Sequence, residues 1–267
     1  MKNYAIVCLP SATVDQGLRM NFLGDVDVEE LRSQHATYCE ILEDFGYWLI
    51  VVPPDNNYPD SVFVEDPAVI MHDVLVRTRL QNEKRQGEEA RLEQALLPFF
   101  SRSKLFHIDP PGFIEGGDVL VTNDALYIGL SARTNAEGAD QLARIAKDHA
   151  GFETHVLEIP KSYLHLKGEV TFHRNSSAKN GKNIITVSEE IAHHFSGSGC
   201  ELILTPPEER FGGNCISSGS NICVHADCTE TMRRLAARGF KVRPLPMTEF
   251  KKIDGAMTCL SKLFTAK

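Results

Sequence analysis

The sequence lacks the long apolar runs of a membrane protein. No stretch of its 267 residues approaches the roughly 18 consecutive apolar residues that a transmembrane helix needs. The first ten residues, MKNYAIVCLP, carry one lysine and only a short apolar run, which does not fit a signal peptide. We therefore expect a cytoplasmic protein without a membrane partner, whose first apolar segment is a buried strand.

An excess of basic charge is also missing. Lysine and arginine together number 28 against 36 aspartates and glutamates, which gives a formal net charge of −8. A phosphate backbone requires a basic surface, so this balance disfavours nucleic acid as a partner. It is compatible with a cationic small molecule, although an acidic balance is mostly a solubility feature.

Three kinds of reactive site find little support in the sequence. The seven cysteines are an odd number without a secretory signal, which indicates reduced thiols and not a disulfide framework. The best cluster of potential metal ligands is CVHADC, with Cys223, His225 and Cys228, and its spacing fits no zinc signature. No G-x-S-x-G serine motif is present. We expect neither a metal nor another cofactor.

What the sequence does contain is a repeated alternation of strands and helices. The first unit predicts a strand at 4–9, a helix at 28–45 that begins after Asp27 and ends before Gly46, and a strand at 48–52. Four similar units follow over 61–108, 118–159, 169–204 and 215–246, and residues 247–264 return to complete the arrangement. We predict one α/β domain, residues 1–267, built from five repeated units.

The stretch YPDSVFVEDP, residues 58–67, concentrates carboxylates. Asp60, Glu65 and Asp66 are interleaved with apolar residues there, and Pro67 ends the predicted strand 61–65. Solvated loop residues are the ordinary explanation for such a pattern. If the carboxylates share an enclosed site, they repel one another and need a cation, and a planar guanidinium matches them well.

Three further stretches carry reactive side chains. FIEGGD places Glu115 before a double glycine, where the backbone approaches a ligand or another strand closely or simply turns. LHLKGE offers His165, which is either a packing residue or a catalytic base. DGAMTCLSKLF contains Cys259, which from spacing alone is a buried inert thiol as readily as a nucleophile.

Taken together and in this order, the four stretches resemble the guanidino-group-modifying enzyme superfamily. The resemblance extends over nearly the whole chain and includes Gly17-Leu18 and IGLSARTNAEGA at 128–139. It is strongest to the members that hydrolyse methylated arginine. The resemblance implies a five-bladed α/β propeller, the pentein fold, with pseudo-fivefold ββαβ repeats.

The same resemblance implies a catalytic set. Cys259 would be the nucleophile, His165 the general acid and base, and Glu115 the residue that orients the histidine or binds the guanidinium beside it. A covalent step suits a guanidinium, because resonance makes it resistant to direct attack by water.

Substrate contacts are implied as well. Asp66 would hold the guanidinium nitrogens, with Asp60 and Glu65 in the same pocket. Arg85 and Arg133 would receive the α-carboxylate. The backbone of Leu18, on a mobile loop, and of Ile253 would meet the amino group. Phe63 would pack on the substrate.

The expected activity is therefore hydrolysis of dimethylarginine or monomethylarginine to citrulline and an alkylamine through a Cys259 thiouronium. One alternative is an arginine deiminase or arginine dihydrolase that acts on free arginine by the same mechanism. Another is a non-catalytic guanidinium-binding module. We expect a monomer or a homodimer with a small-molecule, arginine-derived substrate.

Overall fold

The part of the chain that the structure describes forms five small sheets, each of three strands. A computed structural model describes residues 1–174 and 182–266. Among these residues, no helix is long and apolar enough to cross a membrane. The α-helices are α1 (Val28–Asp44), α2 (Glu88–Leu96), α3 (Ala136–Ile145), α4 (Thr229–Ala237) and the short α5 (Thr248–Lys251).

The strands follow the predicted spacing. They are β1 (Lys2–Cys8), β2 (Trp48–Val52), β3 (Ala68–Met71), β4 (Val74–Arg77), β5 (Leu105–His107), β6 (Val119–Val121), β7 (Ala125–Leu130), β8 (Glu153–Glu158), β9 (Val170–His173), β10 (Ile184–Ser188), β11 (Glu201–Thr205), β12 (Ile216–Ser218), β13 (Asn221–His225), β14 (Lys241–Leu245) and β15 (Lys262–Ala266).

Every sheet has the same topology. Its middle strand pairs antiparallel with one neighbour and, after a crossover, parallel with the other, as in β3-β4-β5 and β6-β7-β8. A parallel pair needs a crossover connection, and α1 to α4 supply it in four units. These repeats confirm the predicted ββαβ pattern and the five-bladed α/β propeller. In the fourth unit, where the repeat also predicts a helix, the crossover between β10 and β11 contains only a 3₁₀ turn at Ala192–Phe195.

The first sheet joins the two ends of the described chain. Strand β15 pairs antiparallel with β1, with Phe264 opposite Tyr4, and β2 pairs parallel on the other side of β1. The predicted return of residues 247–264 is thus confirmed. Because β15 begins three residues after Cys259, this pairing also holds the cysteine segment against the rest of the molecule.

Local signals placed α1 correctly. The Asp27 side chain accepts hydrogen bonds from the backbone N–H groups of Glu29 and Glu30, which satisfies two of the free donors at the helix start. Beyond the helix, Gly46 has a φ of 87°, a left-handed conformation that glycine adopts readily. The apolar face of α1 is buried in a hydrophobic core.

The predicted strand at 61–65 is wrong. Residues Pro59–Val62 form a 3₁₀ turn, and the N–H of Phe63 bonds to the carbonyl of Asp60. Proline at the first position of the turn fixes φ near the helical value and donates no hydrogen bond, so it favours the turn over a strand pairing. The carboxylates of this stretch therefore lie on irregular backbone before β3.

The aromatic cluster at the closing strand should be a major source of stability. Phe264 is 6% exposed, and its ring centroid lies 5.5 Å from that of Tyr4 and 5.2 Å from that of Phe99. We expect Phe264→Ala to lower the free energy of unfolding by about 3–5 kcal/mol, because it leaves a cavity between β15 and its neighbours. Urea denaturation followed by circular dichroism measures the loss.

Trp48→Ala is the matched control, since Trp48 lies on β2 of the same sheet and is 59% exposed. It should change the free energy of unfolding by less than about 1 kcal/mol. Equal losses in the two variants would contradict the assignment of the closing strand as a stabilising element.

Candidate active site

A pocket brings together residues from three of the four stretches, YPDSVFVEDP, LHLKGE and DGAMTCLSKLF. Its lining residues are Leu18, Asp60, Phe63, Asp66, Arg85, Arg133, Leu164, His165, Ile253, Asp254 and Cys259. Nine of these are predicted site residues, and they come from segments that are far apart in sequence. Glu115 and Glu65 lie behind the wall, at 0% and 2% exposure.

The double glycine after Glu115 is required by close backbone approach. A Cβ on Gly116 would lie 2.1 Å from the carbonyl oxygen of Glu65, and one on Gly117 would lie 2.7 Å from Nδ1 of His165. Both distances are far below a van der Waals contact. The glycines thus let the FIEGGD segment pass directly behind the carboxylates and the histidine.

His165 lies in a cluster of carboxylates. Its Nε2 is 2.8 Å from Oε2 of Glu115 and 3.9 Å from Oδ1 of Asp66. Burial lowers the pKa of the imidazole, but Asp66, Asp118 and Glu115 outweigh that effect and raise it to about 10. At neutral pH the ring is therefore an imidazolium, which donates protons.

Arg85 compensates the charge of the same carboxylates from inside the wall. Its guanidinium donates to Oδ2 of Asp66 at 2.8 Å, to the Glu88 carboxylate at 2.9 and 3.1 Å, and to the carbonyl of Phe63 at 3.3 Å. Burial raises the pKa of Asp66, whereas His165 and Arg85 lower it, to about 2. Asp66 is consequently ionised, and most donors of Arg85 already have partners.

Arg133 is the more available of the two arginines. Its guanidinium lines the pocket and makes one ion pair, from NH1 to Oε1 of Glu115 at 3.4 Å. The sequence does not distinguish Arg85 from Arg133, because Asp66, the partner that occupies an NH1 donor of Arg85, lies nineteen residues away.

Two carboxylates hold the loop that carries Leu18. The N–H of Leu18 bonds to both oxygens of Asp60, at 3.1 and 3.2 Å. The N–H of Met20 bonds to Oδ2 of Asp254, a residue with a φ of 55°. Asp254 lines the pocket beside Ile253, and sequence reasoning did not single it out.

Cys259 lies at the start of the last segment before β15. It is part of a 3₁₀ turn, Met257–Leu260, and its carbonyl accepts a hydrogen bond from the N–H of Glu65 at 3.3 Å. Burial raises the pKa of the Cys259 thiol, and the charges of Glu65 and Asp66 raise it further. Without a bound cation, the group in the pocket is a thiol and not a thiolate.

The sequence analysis places Glu65 in the pocket, but the structure does not. Its carboxylate accepts a hydrogen bond from the Thr258 hydroxyl at 2.8 Å and forms an ion pair with Lys167. Because the chain is irregular after the 3₁₀ turn, Glu65 and Asp66 face opposite sides of the wall, and Glu65 contacts the residue before the cysteine.

Other buried ionisable groups escaped sequence reasoning. Asp118 accepts from Ser131, from Thr134 and from the N–H of Leu166, and burial raises its pKa to about 6. Burial lowers the pKa of Lys262 to about 8, even though Glu65 opposes the shift. The aspartate in EGGD is the only sequence signal for Asp118. Nothing in the sequence of β15 marks Lys262 as unusual.

Potential metal ligands converge once within the described part of the chain. One oxygen each from Asp66 and Glu115 and a ring nitrogen of His165 lie within 4.8 Å of one another. These atoms face Arg85 and Arg133, so cations already compensate their charge. Cys223, His225 and Cys228 form no such group in the described residues.

Comparison with known proteins relates the chain to enzymes of arginine chemistry. A family model described as arginine deiminase matches residues 49–192. The chain is 32% identical to an N(G),N(G)-dimethylarginine dimethylaminohydrolase of Pseudomonas aeruginosa, over 99% of this chain and 100% of that one. It is 33% identical to the protein of that name in Streptomyces coelicolor, over 96% of this chain and 95% of that one.

Solved structures extend the likeness to three dimensions. A mutant of the Pseudomonas aeruginosa enzyme complexed with citrulline matches with a TM-score of 0.90 at 31% identity, covering 99% of this chain and 100% of that one. The N-terminal domain of a cyanobacterial arginine dihydrolase matches with a TM-score of 0.83 over 100% and 98% of the two chains. At 20% identity, the second match shows the fold alone.

The charge of His165 should make stability depend on pH. Because its pKa in the folded protein is about 10, the stabilisation from the carboxylates is fully present below the unfolded value near 6.5 and is lost as pH rises through 10. Glu115→Gln removes one carboxylate, lowers the pKa of His165 and moves this loss to lower pH. Urea unfolding between pH 6 and 10 measures the change in the pH dependence of stability. The NMR chemical shifts of the imidazole nitrogens of His165 give its pKa directly.

Glu137→Gln is the control, because Glu137 is an exposed residue on α3. It should leave the pH dependence of unfolding as in the wild type. A His165 ring that titrates near 6.5 in the wild-type protein would disprove the assignment of an imidazolium.

Proposed function

The chain belongs to the family of the dimethylarginine dimethylaminohydrolases, hydrolases that act on C–N bonds of guanidino groups, and we propose that it hydrolyses methylated L-arginine to citrulline and an alkylamine. One observation carries the proposal. A single pocket presents a thiol, a protonated imidazole and an ionised carboxylate, from Cys259, His165 and Asp66, among further acidic groups.

The charges of the pocket suit a cationic, planar group at one end and an amino acid at the other. Asp66 accepts N–H donors of the guanidinium beside Cys259, and Phe63 packs against the side chain. Arg133 receives the α-carboxylate, with Arg85 adding its charge from the wall. The backbone of Leu18 and Ile253 meets the α-amino group, and Asp60 holds Leu18 in place.

Substrate binding prepares the nucleophile. The thiol of Cys259 stays protonated in the free protein, because burial and two carboxylates raise its pKa. A bound guanidinium neutralises Asp66 and places a positive charge beside the sulfur. This favours release of the thiol proton to solvent and formation of the thiolate. The acidic pocket thus keeps the cysteine unreactive until a cation occupies it.

The reaction then proceeds in two half-reactions. The thiolate attacks the guanidinium carbon, and the tetrahedral adduct collapses as the His165 imidazolium donates its proton to the departing alkylamine. This leaves a thiouronium on Cys259. The now neutral His165 takes a proton from water as the hydroxide attacks the thiouronium carbon. The hydroxyl group of this second adduct then loses its proton to solvent as the C–S bond breaks, which gives citrulline and the thiolate.

Free arginine is the competing substrate. The arginine deiminase family model covers residues 49–192, and deiminases release ammonia by the same two steps. The full-length identity of 32% to a dimethylarginine dimethylaminohydrolase favours the methylated substrate.

We also propose a cytoplasmic location, which suits seven cysteines that are all unpaired, and a monomeric or homodimeric state.

Cys259→Ser should abolish citrulline formation from dimethylarginine while leaving the circular dichroism spectrum unchanged, because serine is too weak a nucleophile to form the covalent adduct. The wild-type protein should turn over dimethylarginine faster than arginine, which parallel assays for dimethylamine and ammonia measure. Cys39→Ser, at a cysteine on α1 outside the pocket, is the control and should retain activity. Citrulline production by Cys259→Ser would refute the nucleophile, and faster release of ammonia from arginine would refute the substrate.

Alkylation tests the state of the thiol without turnover. We expect iodoacetamide to modify Cys259 slowly at pH 7 and progressively faster up to pH 9, because the pKa of the thiol lies above its ordinary value. Arginine analogues that fill the pocket should block the modification. Peptide mass mapping distinguishes Cys259 from the other cysteines. Rapid alkylation at pH 7 that is insensitive to pH and to analogues would contradict the proposed pocket.

A further inference from the structure

We propose that Asn214 is a positioning residue that fixes the spacing between the His165 segment and the Cys259 segment. This inference rests on the proposed function, since it concerns the two residues assigned to the chemistry. Asn214 does not touch the reacting atoms. It joins the two backbone segments that carry them.

Three hydrogen bonds define the contact. The side-chain nitrogen of Asn214 donates to the carbonyl of Lys167 at 2.7 Å and to the hydroxyl of Thr258 at 2.8 Å. Its side-chain oxygen accepts the backbone N–H of Thr258 at 3.0 Å. Lys167 is two residues after His165, and Thr258 directly precedes Cys259. One amide therefore spans the gap between the proposed acid-base residue and the proposed nucleophile.

The amide is used almost to its capacity. Asn214 is 2% exposed, and an asparagine side chain has two N–H donors, which are both taken here. Its acceptor oxygen contacts the backbone and not a rotatable group. Because buried polar atoms that lose their partners are expensive, alternative positions of either segment are penalised.

Glu65 closes the same contact into a ring. The Lys167 ammonium pairs with one Glu65 oxygen, and the Thr258 hydroxyl donates to the other at 2.8 Å. Thr258 in turn accepts from Asn214, which donates to the Lys167 carbonyl. The four residues form a closed hydrogen-bonded circuit directly behind Cys259.

The sequence before Asn214 explains how it reaches this position. A Cβ on Gly213 would lie 2.2 Å from the carbonyl oxygen of Glu169, so only glycine permits the approach to the segment after His165. The hydroxyl of Thr171 then anchors both sides of Asn214, donating to the Gly213 carbonyl at 2.8 Å and accepting from the N–H of Cys215 at 3.0 Å.

Loss of the Asn214 side chain should affect the chemical steps and not substrate binding. Both half-reactions need His165 and Cys259 at a set separation, and a displacement of about 1 Å can lower a rate by about 100-fold. Of the proposed substrate contacts, Arg133 and Leu18 lie on other segments, and Asp66 is held by Arg85 and by the N–H of Gly117. Loss of Asn214 should thus lower kcat far more than it weakens substrate binding.

The experiment compares Asn214→Ala with Gln34→Ala. Gln34 is a matched control: it is 4% exposed, donates to Glu30 at 3.1 Å and Thr248 at 2.7 Å, and accepts the N–H of Glu249 at 3.2 Å, but it joins α1 to α5. Thr258→Val is a second test variant of unchanged size, which removes only the hydroxyl of the circuit. Each is assayed for kcat and KM with dimethylarginine, for thermal stability, and for binding of dimethylarginine in a Cys259→Ser background.

We expect Asn214→Ala to lower kcat by about 30- to 100-fold and Thr258→Val by about 10-fold, with dissociation constants changed less than about threefold. Gln34→Ala should lose a similar amount of thermal stability and keep its kcat. Equal kcat values for Asn214→Ala and Gln34→Ala, or a loss in Asn214→Ala confined to binding, would overturn the inference. If Asn214→Ala does not fold, Thr258→Val decides by the same criteria.

Failure of the proposed function has a different signature. In that case the wild-type protein itself shows no turnover of dimethylarginine or arginine. The rate of Cys259 alkylation by iodoacetamide at pH 9 then decides the positioning role. A rate that changes in Asn214→Ala and Thr258→Val but not in Gln34→Ala supports it, and three unchanged rates reject it.

Discussion

Mutual compensation of buried charges at one wall of the pocket is the constraint on which the site depends. Arg85 and the imidazolium of His165 lie among Asp66, Glu88 and Glu115, all nearly inaccessible to solvent. Removing one partner of such a group leaves an uncompensated buried charge, which is strongly destabilising. The position of each member is therefore determined by the others, and the wall is rigid for electrostatic reasons as well as packing reasons.

This arrangement divides the site into two functional layers. In the free protein, the compensated wall holds His165 protonated and Asp66 ionised. Burial and the carboxylates of Glu65 and Asp66 raise the pKa of the Cys259 thiol, and Lys167 opposes this shift only in part. In the proposed mechanism, the charge of the substrate therefore confers reactivity on the thiol, and neutral molecules of similar shape do not elicit it.

Much of this could be predicted from the sequence, and the failures have physical reasons. Alternating apolar segments identify five units, because strand and helix periods differ clearly. The strand at 61–65 is wrong because Pro59 starts a 3₁₀ turn, a local backbone preference that outweighs apolar alternation. Long-range partners are harder to infer: nothing near Arg85 indicates that Asp66, nineteen residues away, occupies one of its donors. Asn214 is likewise a single amide whose partners lie 47 and 44 residues away.

The antiparallel pairing of β15 with β1 has a consequence for the order of events during synthesis. The proposed acid-base residue and the carboxylates leave the ribosome well before Cys259, and β1 leaves first of all. Because chains emerge from the N-terminus onward, the first sheet stays without its third strand until residues 262–266 are free to pair. A nascent chain with the other four units folded thus holds an exposed edge on β1 and an acidic pocket that lacks its thiol.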